Sequence, residues 1–142
     1  MRRLCLQCHK DYEVRGRNIL DPSDNVCSLD CLYYHIRSLA SQIDLPITVL
    51  NQSNPQFRSS WEVDVSVWLD SNFCNVLYEP AAIRLSNGKT YIPDFLAVVS
   101  DGRGCFVEVK GGRFRMRKVL LLSEVAPVVV IGKRLVTLVR KR

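Results

Sequence analysis

Two carboxylates and a lysine stand on two neighbouring apolar stretches of the chain, with spacing that suits metal chemistry. Asp94 lies in the first stretch, and Glu108 and Lys110 lie in the second. Residues 100–104, Ser-Asp-Gly-Arg-Gly, supply a turn between them, a pattern typical of a β-hairpin. With the turn centred on Asp101, Asp94 and Glu108 face each other across the antiparallel pair, where Cβ atoms are about 5 Å apart.

Two carboxylates at this short distance repel each other unless a cation lies between them. A site with a small number of hard oxygen ligands suits Mg²⁺ or Mn²⁺. Either metal activates a bound water and polarises the oxygens of a phosphodiester. We therefore expect Asp94 and Glu108 to bind the metal, and Lys110 to orient the water or neutralise charge in the transition state. The alternative is a surface hairpin with ordinary charges, since a slip of one residue would separate the carboxylates.

A third carboxylate, Glu62, stands near the start of a predicted helix. The helix begins with Ser59 as N-cap and ends near Asn72. Its apolar stripe consists of Trp61, Val65, Trp68 and Leu69. Because Glu62 follows Ser59 by three positions, the two residues form a capping box. Capping its own helix is therefore the alternative to a role for Glu62 in a metal site.

The elements around these residues alternate between strands and helices. We predict two strands at 74–79 and 82–85, followed by a tight Ser-Asn-Gly-Lys turn at 86–89. After the hairpin of Asp94 and Glu108, we predict a short helix at 114–124, a buried strand at 128–131 and a last edge strand at 135–139. This order predicts an α/β fold with a mixed sheet flanked by helices.

Four cysteines near the N-terminus have the spacing of a four-thiolate zinc site, with a C-x₂-C pair followed after eighteen residues by a C-x₃-C pair: Cys5, Cys8, Cys27 and Cys31. The second pair opens a helical pattern over 28–43, an order that resembles a treble-clef zinc finger. Disulfides are the alternative, and a reducing compartment disfavours them. His9 and His35 are possible substitute ligands. Cys74 and Cys105 fit buried small apolar residues.

The chain divides into three parts by composition. Residues 1–44 form a predicted zinc-binding module, and residues 45–56, with two prolines and a polar run, form a predicted linker. Residues 57–142 then hold the carboxylates and most of the predicted sheet. The total of 142 residues suits one moderate core with a small appendage.

Charge is distributed unevenly along the chain, whose net charge is +6. Residues 111–142 carry nine Arg or Lys and one acid, hence +8, whereas residues 1–110 carry eleven bases and thirteen acids, hence −2. A basic C-terminal quarter indicates a polyanionic partner such as nucleic acid, the alternative being a solvated charged face. No apolar stretch is long enough for a bilayer and no secretory signal is visible, so we expect a soluble cytoplasmic protein with no membrane partner.

The order of elements and charged residues resembles the PD-(D/E)XK nuclease superfamily, and within it phage-type endonuclease I, a Holliday-junction resolvase. The residues that carry this resemblance lie between 57 and 111: Phe57-Arg58-Ser59, Glu62, Val65-Ser66, Leu69, Tyr78-Glu79, Tyr91, Pro93-Asp94-Phe95 and Phe106-Val107-Glu108-Val109-Lys110-Gly111. Several ordered matches are more specific than any single one.

The resemblance implies a restriction-endonuclease-like core and a Mg²⁺-dependent endonuclease, a homodimer, that acts on duplex or branched DNA in a bacterial or phage-infected cell. Asp94 and Glu108 would ligate Mg²⁺, and Lys110 would assist the attacking water. Glu62 would complete the acidic site, and Glu79 is a weaker candidate beside it.

Basic residues near these carboxylates are candidates for phosphate contacts. Arg58 precedes the helix of Glu62, and four others follow the second strand directly: Arg113, Arg115, Arg117 and Lys118. A salt bridge for Arg58 and solvated helix charges for the rest are the alternatives. Because endonuclease I has no zinc module, two other functions stay open. One is a homing, restriction or transposition-type nuclease targeted by the module, and the other is a non-catalytic zinc-containing DNA-binding protein.

Overall fold

The computed structural model describes residues 2–14, 25–42, 47–49, 57–99, 102–110 and 116–141. In these parts the chain forms nine strands and four helices, in the order β1 (Arg2–Leu4), β2 (Asp11–Glu13), α1 (Leu29–Leu39), β3 (Ile47–Val49), α2 (Ser60–Asn72), β4 (Asn75–Tyr78), β5 (Ala81–Arg84), β6 (Thr90–Tyr91), β7 (Phe95–Val98), β8 (Gly104–Val109), α3 (Met116–Ser123), β9 (Val128–Ile131) and α4 (Lys133–Arg140). The protein is therefore mixed α/β, as the sequence predicts.

The central sheet has four strands in the order β4-β7-β8-β9. Its neighbours are antiparallel except for β8 and β9, which are parallel, so the predicted mixed sheet is confirmed. In the β7–β8 pair, Phe95 faces Val107 and Val98 faces Gly104. One step before β7, this register sets Asp94 opposite Glu108, which confirms the predicted pairing across a turn centred on Asp101.

The two faces of the central sheet carry different partners. Val107 belongs to a large core with residues of α1, α2 and α4. Phe106, the next residue, belongs to a smaller cluster with Leu122 of α3 and Ile83 of β5. Because side chains alternate along a strand, Glu108 lies on the same face as Phe106. The face that holds Glu108 is therefore the one covered by α3 and the second sheet.

The second sheet has three antiparallel strands in the order β3-β5-β6. The predicted turn between β5 and β6 is confirmed, since Gly88 has a φ of +82° and the Leu85 N–H donates to the Lys89 carbonyl at 2.8 Å. Its first strand, β3, falls inside the segment 45–56 predicted as a linker. The Ile-Thr-Val sequence of β3 is β-branched throughout, and this favours pairing with β5 despite the nearby prolines.

The N-terminal cysteine-containing part packs directly on the rest of the described chain. Leu32 of α1 lies in the same core as Val107 of β8. The backbones of Ser41 and Gly104 exchange two hydrogen bonds, at 3.0 and 2.9 Å. The Arg134 guanidinium donates to the carbonyl oxygens of Val26 and Cys27. The described residues on both sides of the predicted linker thus share one core.

The C-terminal segment is a helix, so the edge strand predicted at 135–139 is wrong. Its β-branched residues favour a strand locally, but Leu135, Val136 and Val139 fall on one helical face and all three are buried in the large core. Packing against α2 and α1 outweighs the local preference. None of the described helices has the length and apolarity needed to cross a membrane.

The other predicted elements appear within a few residues of their predicted bounds, and β9 has the predicted bounds of 128–131. The helix predicted over 28–43 is α1, which begins after the Ser28 N-cap, and α3 occupies part of the predicted 114–124. Cys105 is buried as predicted, whereas the prediction of burial is wrong for Cys74, which is exposed and donates to the Val98 carbonyl.

Candidate functional site

Asp94 and Glu108 are held together by reciprocal hydrogen bonds from the backbone. The Asp94 N–H donates to Oε1 of Glu108 at 2.9 Å, and the Val109 N–H donates to Oδ2 of Asp94 at 2.8 Å. Glu108 is fully buried on the central strand β8. Because each carboxylate is bound by the backbone of the opposite strand, the hairpin register fixes their relative position.

Lys110 and Tyr91 complete the surroundings of Glu108. The Lys110 Nζ lies 3.1 Å from Oε2 of Glu108, and the Tyr91 hydroxyl donates to the same oxygen. Lys110 follows Glu108 by two residues and shares its face, as predicted. The buried carboxylate of Glu108 is thus paired with Lys110, and both of its oxygens accept hydrogen bonds, which is what permits a carboxylate inside a sheet.

The pair still carries more negative charge than its neighbours neutralise. Burial and the charge of Glu108 raise the pKa of Asp94 to about 7, although the Val109 N–H and Lys110 act in the opposite direction. Burial and the charge of Glu108 also raise the pKa of Tyr91, which keeps its hydroxyl protonated as a donor. A divalent cation between the carboxylates would relieve this repulsion.

Glu62 lies in the first turn of α2, and its side chain binds the backbone that precedes the helix. The Ser59 hydroxyl caps α2 by accepting from the Glu62 N–H at 3.3 Å. The Glu62 side chain turns back, and its Oε2 accepts from the Arg58 N–H at 2.6 Å and from the Tyr78 hydroxyl at 3.1 Å. Glu62 is buried, and its charge contributes to the raised pKa of Asp94, so it acts electrostatically on the carboxylate pair.

Glu79 adjoins the carboxylates through its backbone. Its N–H donates to the Asp94 carbonyl at 2.8 Å, and its φ of +44° is in the left-handed region. Its carboxylate forms the salt bridge that was the alternative for Arg58, with Nη2 at 3.0 Å from Oε1. The Arg58 side chain is 74% exposed, so this cation can also meet a ligand from solvent.

Two tyrosines that hold carboxylates received no role from the sequence. Tyr78 donates to Glu62, and Tyr91 donates to Glu108. The available signal was chemical, because a buried or half-buried tyrosine on a strand needs a partner for its hydroxyl. Which acid would be that partner could not be read from the spacing.

The DNA-binding residues predicted after β8 are only partly within the described chain. Arg113 and Arg115 lie outside it. Arg117 and Lys118 are exposed on α3, and the Lys118 Nζ lies 6.0 Å from the centre of the Tyr91 ring. Lys118 therefore stands beside the residue that binds Glu108.

The four cysteines converge as predicted and could hold a metal ion. All four Sγ atoms lie within 4.8 Å of one another, with Cys8 and Cys31 each 3.6 Å from Cys27. Tetrahedral zinc with Zn–S bonds of about 2.3 Å separates its sulfurs by about 3.8 Å, so the donor set fits. The cluster is composed of cysteines alone, so the predicted substitutes His9 and His35 are not part of it.

Backbone donors favour a thiolate in this cluster. The Cys27 N–H and the Cys8 N–H donate to Sγ of Cys5 at 3.3 and 3.5 Å. Burial alone would raise the pKa of the Cys5 thiol, but the N–H groups of Cys8, Gln7 and Cys27 lower it to about 6. All four cysteines are free thiols rather than disulfide partners.

The carboxylates are less convergent than the cysteines. Among the described residues, only the cysteine cluster brings three or more ligand atoms within 4.8 Å of one another, so Glu62 does not join Asp94 and Glu108 at that range. Comparisons of the chain with protein-family models, curated proteins and solved structures found no match. The candidate function therefore rests on the geometry of the site.

Proposed function

We propose that this protein is a metal-dependent endodeoxyribonuclease with a restriction-endonuclease-like core, in which Asp94 and Glu108 bind Mg²⁺ or Mn²⁺. The observation that carries the proposal is the hairpin register, which sets Asp94 opposite Glu108 and leaves Lys110 at 3.1 Å from the Glu108 carboxylate. Two acids and a lysine on one face of a sheet can supply metal ligands and a positive charge for the hydrolysis of a phosphodiester.

Each residue has a distinct part in this chemistry. When bound, the divalent metal supplies an activated water and polarises the phosphoryl oxygens. Asp94 and Glu108 hold their positions through the backbone N–H groups of the opposite strand. Lys110 neutralises negative charge that develops on the phosphate in the transition state. Glu62 adds to the negative potential at Asp94.

Positive side chains near the carboxylates support a polyanionic substrate. Lys118 stands beside Tyr91, and the exposed guanidinium of Arg58 stands beside Glu79. Phosphate contacts of this kind give affinity without reading sequence. Duplex and branched DNA both fit this description, and a homodimer that cuts two strands belongs to the same proposal.

The cysteine cluster is proposed as a structural zinc site. The hairpin of β1 and β2 and the helix α1 are short elements, and a metal bound by four thiolates would stabilise them. The proposed zinc would fix the loop of Val26 and Cys27, whose carbonyl oxygens bind Arg134 of α4.

One observation favours a second candidate, a non-catalytic DNA-binding protein that keeps a nuclease-like sheet. Lys110 and Tyr91 both occupy Oε2 of Glu108, and Glu62 stays outside ligand range of the pair. In this candidate Lys110 takes the place of the metal as the counter-ion of Glu108. Binding of DNA without cleavage would then be the whole activity.

Cleavage of supercoiled plasmid, linear duplex and a four-way junction with Mg²⁺ or Mn²⁺ tests the two candidates. We expect cleavage by the wild type and a loss of at least about 10³-fold in Asp94→Asn, because a metal ligand contributes several kcal/mol to transition-state stabilisation. Asp70→Asn, which changes an exposed acid on α2, is the control with full activity. Cleavage that survives Asp94→Asn refutes the nuclease site, and binding with no cleavage on any substrate supports the second candidate.

A further inference from the structure

The hydrogen bonds to Glu108 are divided unequally between its two oxygens. Oε2 accepts from the Tyr91 hydroxyl and lies 3.1 Å from the Lys110 Nζ, whereas Oε1 accepts only from the Asp94 N–H among the described residues. An ionised carboxylate offers about four acceptor positions, two on each oxygen. Tyr91 and Lys110 fill the positions on Oε2, so the remaining position is on Oε1.

Asp94 shows the matching asymmetry. Its Oδ2 accepts from the Val109 N–H, and no described residue donates to its Oδ1. Among the described residues, the acceptor positions of this pair without a donor are therefore on Oε1 of Glu108 and Oδ1 of Asp94. A cation that binds both residues without displacing a donor would use these oxygens.

Tyr91 reaches Glu108 from the second sheet. Pairing with Ile83 sets the position of its backbone, and its ring packs against the cluster that contains Phe106. The Nζ atoms of Lys110 and Lys118 lie 5.9 and 6.0 Å from the centre of this ring, within the range of cation–π attraction. The ring is thus held on several sides, and its hydroxyl has a defined direction.

We propose that Tyr91 is a positioning residue, an inference that rests on the proposed function. Its hydroxyl binds Oε2 of Glu108 beside Lys110 and thereby leaves Oε1 to the metal. Without the hydroxyl, the Glu108 carboxylate can rotate and Lys110 can bridge both of its oxygens. Lys110 would then compete with the divalent cation for Glu108.

Tyr91→Phe tests this role because it removes one hydroxyl and keeps the ring. Mn²⁺ binding to the zinc-loaded protein would be measured through the electron paramagnetic resonance signal of free Mn²⁺, with Asp94→Asn as the variant that lacks the site. We expect the Kd for Mn²⁺ to rise about tenfold or more, the usual effect of losing a hydrogen bond to a ligating group. Tyr33→Phe is the matched control, since it removes a hydroxyl that accepts from Arg37 on α1, and its Kd should stay within about twofold of wild type.

The outcomes separate the inference from the proposed function. If Tyr91→Phe binds Mn²⁺ as tightly as the wild type while Asp94→Asn does not bind it, the role of Tyr91 is refuted and the nuclease site stands. A lower Tm in Tyr91→Phe with unchanged Mn²⁺ affinity identifies a purely structural tyrosine and also refutes the inference. If the wild type shows no Mn²⁺ binding that depends on Asp94, both the inference and the proposed function fail.

Discussion

The cysteine cluster and the carboxylate pair are built in opposite ways. The four thiols are gathered by a small hairpin and the start of one helix. Asp94 and Glu108 lie at the central sheet, where the backbone, Lys110 and Tyr91 already hold them. We propose that the first arrangement depends on a bound metal for its stability, whereas hydrogen bonds and Lys110 hold the second at an electrostatic cost.

The largest expected effect comes from breaking the cysteine cluster. Cys27→Ser removes one thiolate, and we expect zinc loss and a fall in Tm of about 10 °C or more, because binding of structural zinc is part of the folding free energy. Thermal unfolding followed by circular dichroism, with zinc content by elemental analysis, measures both. Cys74→Ser, at an exposed thiol outside the cluster, is the control. An unchanged Tm in Cys27→Ser would show that the cluster needs no metal.

Removing charge from the carboxylate pair should raise the stability of the protein, whereas breaking the cysteine cluster should lower it. The pKa of Asp94 is raised from 3.8 to about 7, so the folded state favours the protonated carboxyl. Its stabilising contribution is complete below pH 4 and is lost as the pH rises through 7. At pH 8 without divalent metal, Asp94→Asn should therefore be more stable than wild type, by on the order of 2–4 kcal/mol.

Urea unfolding at pH 4.5 and pH 8 measures the difference in unfolding free energy between Asp94→Asn and wild type. Added Mg²⁺ should reduce this difference at pH 8, because it stabilises the wild type. Asp70→Asn again serves as the control at an exposed acid. The same pH dependence in wild type and Asp94→Asn would mean that the pair carries no electrostatic cost.

The contact between the cysteine cluster and α4 can be weakened separately. Arg134 donates to the carbonyl oxygens of Val26 and Cys27 and lies over the Tyr12 ring. Arg134→Ala should lower the free energy of unfolding by about 1.5–3 kcal/mol, the range for hydrogen bonds to a charged group. Lys133→Ala, at the exposed neighbouring residue, should change it by less than about 0.5 kcal/mol. Equal effects of the two variants in urea unfolding would contradict a specific role for Arg134.

The smallest effect is expected on DNA affinity. Lys118→Ala removes one positive charge beside the carboxylate site and should reduce the slope of log K against log salt by about 1. Lys141→Ala removes an exposed charge at the end of α4, which packs on the other face of the sheet. Fluorescence anisotropy with a labelled duplex at several salt concentrations compares the two. A larger change of this slope in Lys141→Ala than in Lys118→Ala would show that DNA does not bind at the face that carries α3.

Local signals predicted much of the fold correctly. Ser59 is the N-cap of α2, and Gly88 with its positive φ lies in the turn between β5 and β6. The β7–β8 register is the one expected for a turn centred on Asp101, and it sets Asp94 opposite Glu108. Each of these features depends on residues close together in the chain.

Other features could not be predicted because their local preference was weak or contradicted by packing. The β-branched residues of α4 indicated a strand, but burial against α1 and α2 made this segment a helix. The polar residues and prolines around β3 indicated a linker, although pairing with β5 gave it a strand. In both segments distant contacts decided the structure.

The sequence by itself determined which chemical groups are present and how they are spaced, namely the four thiols, the opposed carboxylates and the lysine that follows them. Only the tertiary structure decided that Tyr91 binds Glu108, that Tyr78 binds Glu62, and that Arg134 binds the loop of Cys27 from 107 positions away. The physical reason is the distance along the chain over which each kind of interaction acts. Turns, caps and alternation act over a few residues, whereas a hydrogen bond between distant elements exists only after their apolar faces have packed.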